Sequence, residues 1–274
     1  HLPTLADRAT RLLQERSRPV VIGINGGQGS GKTTLALFLV EWLRRESGLK
    51  AACLSLDDLY LSRAERLELA QTVHPLFATR GVPGTHDVAL GMNVLDQLLG
   101  TGDGQSLAMP AFDKATDDLL DEAEWPVIEV PVDVVVFEGW CVGARPQLDT
   151  ALAAPINTLE ADEDPDGRWR QAVNEHLKTD YAELFRRLDA LVMLRIPSFE
   201  KAIEWRQLQE SRLSRQLAQE QLMRFMMHFE RLTRHMLERL TGLWIGALFS
   251  IAAAMIVAHL QALWLFMALF GGGI

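Results

Sequence analysis

The stretch Pro19-Val20-Val21-Ile22-Gly23-Ile24-Asn25-Gly26-Gly27-Gln28-Gly29-Ser30-Gly31-Lys32-Thr33-Thr34 carries the reading of the whole chain. Its apolar run over residues 19–24 predicts a strand covered on both faces, and residues 33–45 predict the helix that follows. Between them, Gly26 to Thr33 satisfies G-x-x-x-x-G-K-[ST], after a strand and before a helix, where that spacing has a physical meaning. The backbone of Gly26, Gly27, Gln28, Gly29, Ser30 and Gly31 can wrap so that successive N–H groups face a phosphate. The helix opened by Lys32, Thr33 and Thr34 adds its positive end. Such a cradle predicts ATP as cofactor, with Lys32 reaching the β- and γ-phosphates and the Thr33 hydroxyl on Mg²⁺. It does not by itself separate kinases from ATPases, GTPases or switches.

Working outward, residues 51–56, 132–137 and 190–194 are further continuous apolar runs, each separated from the next by helical patterns. That alternation predicts an α/β, three-layer P-loop NTPase fold with a mostly parallel sheet. Residues 71–87 and 100–125 are rich in Pro, Gly and Asp and are expected to be ordered loops over a site. Over residues 199–240, Leu222, Phe225, Met226, Phe229, Leu232, Met236 and Leu240 form one apolar stripe, the mark of a helix packed on the sheet.

Two strand ends carry acids to the edge where ligands bind in open α/β sheets. The run 132–137 delivers Glu138, a candidate for holding Mg²⁺ directly or through water. The run 51–56 delivers Asp57 and Asp58. Phosphoryl transfer needs a carboxylate that orients a hydroxyl in line with the γ-phosphate, and Asp57 is the candidate base. Asp58 could hold that role instead, or both could cap the next helix.

Composition removes other classes. The 274 residues carry 27 basic and 36 acidic side chains, a net charge of -9, so the bulk field repels nucleic acid. Two cysteines, Cys53 and Cys141, exclude a disulfide scaffold and a cysteine zinc site and fit a reducing, cytoplasmic setting. Seven histidines without a His-x-x-x-His pairing argue against a metal hydrolase. The start at His1 shows no basic-then-apolar export pattern.

Five blocks then recur in order: residues 23–34, Leu56-Asp57-Asp58-Leu59-Tyr60, Arg80-Gly81-Val82-Pro83-Gly84-Thr85-His86-Asp87, Met109-Pro110-Ala111-Phe112-Asp113-Lys114, and Phe137-Glu138-Gly139-Trp140. Together they resemble the D-glycerate 3-kinase-like P-loop kinases, relatives of phosphoribulokinase, uridine kinase and pantothenate kinase. The resemblance spans roughly residues 15–240. It implies ATP-dependent phosphorylation of a hydroxyl on a small metabolite, D-glycerate first among the acceptors. It also implies Asp57 as base and an acceptor pocket from Asp58, Tyr60, Arg80, His86, Asp87, Asp113 and Lys114. Residues 203–215 are similar to the lid of these enzymes, with Arg206, Arg212 and Arg215 as candidates for neutralising the transferring group. An ordinary charged helix face reads the same arginines equally well. A nucleotide-dependent switch without metabolite turnover is the competing function.

The tail departs from the pattern. Residues 1–240 form the kinase-like domain, and residues 241–274 contain no Asp, Glu, Lys or Arg. At about 1.5 Å per residue, an apolar helix over 243–270 would exceed a bilayer's hydrocarbon thickness of about 30 Å. Arg231, Arg234 and Arg239 before it would keep the kinase-like part cytoplasmic. A frame error or a buried core helix are the other readings. The chain is expected not to return to the sheet after the long helix, and, if this end is genuine, the sheet to lack a strand.

Overall fold

The computed structural model describes residues 2–100, 104–210, 219–239 and 243–244. The N-terminal half runs α1 (Leu2–Arg16), β1 (Val20–Gly26), α2 (Lys32–Arg45), β2 (Ala51–Ser55), α3 (Arg63–Thr72) and α4 (Val88–Leu98). Four short strands follow: β3 (Gln105–Ala108), β4 (Phe112–Asp113), β5 (Asp118–Leu119) and β6 (Val127–Val130). The C-terminal half runs β7 (Val134–Gly139), α5 (Thr158–Glu163), α6 (Arg168–Lys178), α7 (Asp180–Phe185), β8 (Ala190–Leu194), α8 (Phe199–Glu210), α9 (Gln219–Arg239) and β9 (Leu243–Trp244).

The main sheet has the order β2-β7-β1-β8-β9, with parallel pairing throughout. Successive side chains of a strand leave by opposite faces, and the core divides accordingly. Val20, Ile22, Val134 and Val136 pack with Leu5, Ala9, Leu39 and Leu43 of α1 and α2. Val21, Leu54, Val135 and Phe137 pack on the other face with Leu95, Leu98, Tyr181, Leu184, Phe229 and Met236. This is the three-layer α/β arrangement expected from the alternation of apolar runs and helices. Of the stripe expected on α9, Leu222, Met226, Phe229, Leu232 and Met236 are buried and Phe225 is half-buried, while Leu240 lies outside the described residues.

Register sets the site. Glu138 of β7 stands opposite Ile24 of β1 and Ser55 of β2, so the carboxyl-terminal edge brings Glu138, Ser55 and the start of the glycine turn to one level.

Three expectations need correction. The segments 71–87 and 100–125 are not simply loops: the first holds a 3-10 turn, Pro75–Ala78, and the second holds the antiparallel pair β4–β5 and the strand β3, whose antiparallel partner β6 follows just beyond it. Strands of two to four residues are too short to display an alternating pattern. Asp57 and Asp58 do not cap the next helix, because they lie in the 3-10 turn Leu56–Leu59 and α3 is capped by a reciprocal Ser62–Glu65 box. The chain does return to the sheet after α9, since Leu243 and Trp244 pair in parallel with Val192 and Met193 of β8. Two strand residues inside a continuous apolar run have no period that would mark them. Among the described residues no helix is long and apolar enough to cross a membrane. Apart from Leu243 and Trp244, the apolar helix expected over 243–270 lies outside the described residues.

Candidate active site

The glycine turn is shaped by two left-handed positions, Gly29 (φ 74) and Gly31 (φ 83). L side chains avoid that region, and glycine enters it freely. A Cβ on Gly29 would also come within 2.8 Å of the Trp205 Cβ, so α8 lies directly against the turn. A Cβ on Gly31 would meet nothing within 4 Å, which makes Gly31 the open side of the cradle. Gly31 is the N-cap of α2, and no side chain caps that helix end. Its first amides therefore remain available to an anion. Ser30 N–H donates to the Gly27 carbonyl at 3.1 Å and closes the turn, while Ser30 Oγ and Gln28 Oε1 are buried without a partner. Gly26 and Gly27 continue the end of β1 into this turn, and Lys32, Thr33 and Thr34 begin α2.

Beside the cradle sits Glu138, 2% exposed. Its Oε1 accepts from Thr33 Oγ1 at 3.0 Å and from Ser55 Oγ at 2.8 Å. Its Oε2 is buried with no partner. A buried carboxylate oxygen left bare is costly, and a hard divalent cation is the partner that oxygen chemistry favours. The donor set of one carboxylate and hydroxyls fits Mg²⁺, which keeps several waters and takes its remaining ligands from phosphates.

Next to it the 3-10 turn positions Asp57. Oδ1 accepts from the Tyr60 hydroxyl at 2.8 Å, and Oδ2 accepts from Lys114 Nζ at 2.6 Å. Burial pushes the Asp57 carboxyl up, but the charges of Lys114 and Lys32 and these two hydrogen bonds outweigh it and hold the group well below the usual carboxylate range. Asp58 behaves oppositely. Burial dominates, against the hydrogen bond from Phe112 N–H, and with the neighbouring Asp57 charge it pushes the carboxyl up to about 6. The two adjacent acids are thus driven apart, with Asp57 the stronger acid of the two.

Tyr60 is held by an aromatic wall: it stacks on His86 with ring centroids 4.6 Å apart and meets the edge of Phe112 at 5.1 Å. His86 Nδ1 bonds the Tyr181 hydroxyl, which also accepts from Gly84 N–H; where that hydroxyl donates to Nδ1, the neutral ring carries its proton on Nε2. Nε2 is buried without a partner, and burial lowers the imidazole to about 3, leaving it neutral. Arg80 lies 5.5 Å over the Phe112 ring and pairs with Asp117, which also takes the buried Arg66.

The structure therefore brings Thr33, Glu138, Asp57, Asp58, Tyr60, His86 and Lys114 together. Two predicted pocket residues have other duties: Asp87 caps α4 by accepting from Leu90 N–H at 2.8 Å, and Asp113 winds its own turn by accepting from Ala115 N–H and Thr116. Arg206 lies on α8, its guanidinium 5.9 Å over Phe225, while Arg212 and Arg215 fall outside the described residues. Sequence reasoning missed Ser55, Tyr181, Arg66, Asp117 and Trp205. Ser55 carried a signal as the polar residue closing an apolar strand; the others contact the site only through the fold.

No protein-family model matches the chain. It is 34% identical over 251 residues to "Uncharacterized kinase mug58" of Schizosaccharomyces pombe (strain 972 / ATCC 24843), covering 83% of this chain and 86% of that protein. It is 32% identical over 195 residues to the chloroplastic D-glycerate 3-kinase of Arabidopsis thaliana, covering 69% of this chain but 40% of that protein. The solved structure of D-glycerate 3-kinase from Cryptococcus neoformans var. grubii superposes with a TM-score of 0.71 at 26% identity, over 89% of this chain and 91% of that one. With the phosphate cradle, the metal-ready carboxylate and the ionised Asp57 assembled on that shared fold, the chain belongs to the D-glycerate 3-kinase-like P-loop kinases.

Proposed function

We propose that this kinase transfers the γ-phosphoryl group of ATP to a hydroxyl of D-glycerate, giving 3-phosphoglycerate. The observation that carries the reading is Asp57, a carboxylate kept ionised next to the phosphate cradle and flanked by cationic and aromatic groups suited to a small organic acid. The names of the relatives from Arabidopsis and Cryptococcus support the choice of D-glycerate.

In this reading the amides of residues 27–33 and Lys32 hold the phosphates, and Thr33 and Glu138 would hold Mg²⁺, which would supply charge neutralisation to the transferring group. Asp57 accepts the proton of the attacking hydroxyl. The acceptor oxygen then bonds the γ-phosphorus while the bond to the β–γ bridging oxygen breaks, its electron pair leaving with ADP. Tyr60 fixes the Asp57 carboxylate in the plane needed for that transfer, and His86, stacked on Tyr60, offers the Nε2 proton to an acceptor oxygen. Lys114 and Arg80 supply positive charge for the acceptor's carboxylate. Arg206, on the helix against the glycine turn, and Arg212 are proposed to approach the phosphates when the site closes.

The test is ADP release against D-glycerate, uridine, pantothenate and ribulose 5-phosphate, repeated with Asp57→Asn. D-glycerate should give the highest turnover. Asp57→Asn should lower kcat about 10²- to 10⁴-fold, the range for a positioned general base, with Mg·ATP affinity within about threefold. ATP binding without turnover of any of the four would favour a nucleotide switch; unchanged turnover in Asp57→Asn would remove Asp57 as the base.

A further inference from the structure

Both oxygens of the base are occupied in the free protein, and the two occupants differ sharply in how they are held. Tyr60 is 5% exposed and wedged between His86 and Phe112, so its hydroxyl stays on Oδ1. Lys114 reaches Oδ2 from a turn whose backbone is fastened by the Asp113 carboxylate, but its own side chain is 60% exposed. Its backbone is anchored and its ammonium is free to swing. An ion pair with one partner this exposed is weak enough for a competing carboxylate to break.

We infer that Lys114 is an anion-displaced gate on the base: its ammonium covers Asp57 Oδ2 until the acceptor's carboxylate draws it away and opens that oxygen to the hydroxyl proton. Lys114 is then a specificity-determining residue twice over. It binds the acid, and it withholds the base from acceptors that carry no negative charge. A neutral triol of the same shape leaves the ion pair in place. This inference rests on the kinase reading above and adds how the site rejects uncharged hydroxyls.

The groups facing Asp57 are Lys114, Lys32 from α2, Tyr60, Asp58, His86 and Cys141. Lys114 and Lys32 are the cations among them. With Lys114 engaged, Asp57 is held below the usual carboxylate range and is a feeble base; when Lys114 leaves, only Lys32 and the Tyr60 hydrogen bond still oppose burial, and the carboxyl rises toward a useful basicity.

The full chain with Lys114→Met is compared with the wild type on D-glycerate and on glycerol at saturating Mg·ATP, and the carboxyl carbon of Asp57 is titrated by NMR in the wild type without nucleotide. The gate predicts that Lys114→Met loses about 30-fold or more in kcat/KM on D-glycerate, mostly through KM, while its kcat on glycerol stays level or rises up to about tenfold. It also predicts that D-glycerate, and not glycerol, moves the Asp57 titration upward in the wild type. Equal losses on both acceptors, or an unchanged preference between them, would overturn the gate while leaving the kinase reading intact. An Asp57 titration indifferent to D-glycerate would overturn it even if the variant failed to fold. A wild type that releases no ADP with any acceptor would instead remove the kinase reading and the gate with it.

Discussion

Thr33, in the first turn of α2, donates its hydroxyl to Glu138 Oε1 across 3.0 Å and ties the phosphate turn to the end of β7. Ser55, from the next strand, donates to the same oxygen at 2.8 Å, so two hydroxyls converge on one side of the carboxylate and none on the other. That asymmetry suits the proposed role in holding Mg²⁺: one oxygen fixed by protein donors, the second left for a cation and its waters.

Glu138→Gln separates the two halves of that arrangement. The amide oxygen can still accept from Thr33 and Ser55, so the fold should be kept and circular dichroism unchanged. The lost charge should weaken Mg·ATP binding about 10- to 100-fold while metal-free ATP binding changes little, as titration calorimetry with and without MgCl₂ would read. Equal weakening in both conditions would assign Glu138 to the structure of the turn and not to the metal.

Asp58 predicts an unusual pH dependence of stability. Its folded carboxyl is raised to about 6 from an ordinary 3.8, so the folded state holds this proton more tightly than the unfolded chain does. The resulting stabilisation is fully present below about pH 4 and is lost as pH rises through about 6. At pH 7.5 the wild type carries a poorly solvated charge that Asp58→Asn removes, while the hydrogen bond from Phe112 N–H survives on the amide oxygen. The variant should therefore melt a few degrees higher at pH 7.5, on the order of 2 kcal/mol, with the gain shrinking to nothing near pH 4. A gain that is constant across this range would mean the Asp58 carboxyl is not raised.

How much of this was legible before the structure depends on whether the signal was local. The cradle was, because its glycines, Lys32 and Thr33 are consecutive and the strand and helix on either side announce themselves by period. Glu138 and Asp57 were, because a charged residue ending a buried apolar run has few reasons to be there. The base's surroundings were not: Lys114 is 57 residues from Asp57 and His86 is 95 from Tyr181, and neither pairing leaves a mark on the spacing. Nor could the sequence tell that Asp87 and Asp113 spend their carboxylates on a helix cap and a turn, since Asp serves all these roles with the same atoms. The strand Leu243–Trp244 stayed hidden for the opposite reason: its neighbours are so uniformly apolar that strand, core helix and membrane helix share one pattern.

Gly29 and Gly31 differ in what surrounds them, and alanine scanning should show it. Gly31→Ala places a side chain in open space at positive φ, so its cost is backbone strain alone, about 1–2 kcal/mol. Gly29→Ala pays similar strain and drives a methyl to within 2.8 Å of the Trp205 Cβ, which must move with α8. The melting temperature should fall further for Gly29→Ala, and Trp205 fluorescence should change in that variant only. Indistinguishable behaviour of the two would mean α8 does not rest on the turn.

Arg66 offers the sharpest test of what supports the acceptor side. It is 1% exposed, and its guanidinium donates to the Leu61 carbonyl at 3.2 Å, the Ala78 carbonyl at 3.1 Å and the Asp117 carbonyl at 2.7 Å, with an ion pair to the Asp117 carboxylate at 3.0 Å. One side chain thus fastens the start of α3, the 3-10 turn at Pro75–Ala78 and the β4–β5 turn around the ring of Phe112. Arg66→Met fills the volume but leaves three carbonyls without their donor, a loss of about 2–4 kcal/mol, while the part-exposed Asp117 carboxylate keeps Arg80. Arg66→Lys should recover little of it, because an ammonium cannot present a planar fork to partners in three directions. Asp117 also holds Arg80, so its release should disturb that second arginine and raise the KM for the acceptor by about tenfold or more while leaving Mg·ATP affinity near the wild-type value. A variant that melts early yet keeps its acceptor KM would show that Arg66 braces the fold without setting the position of Arg80.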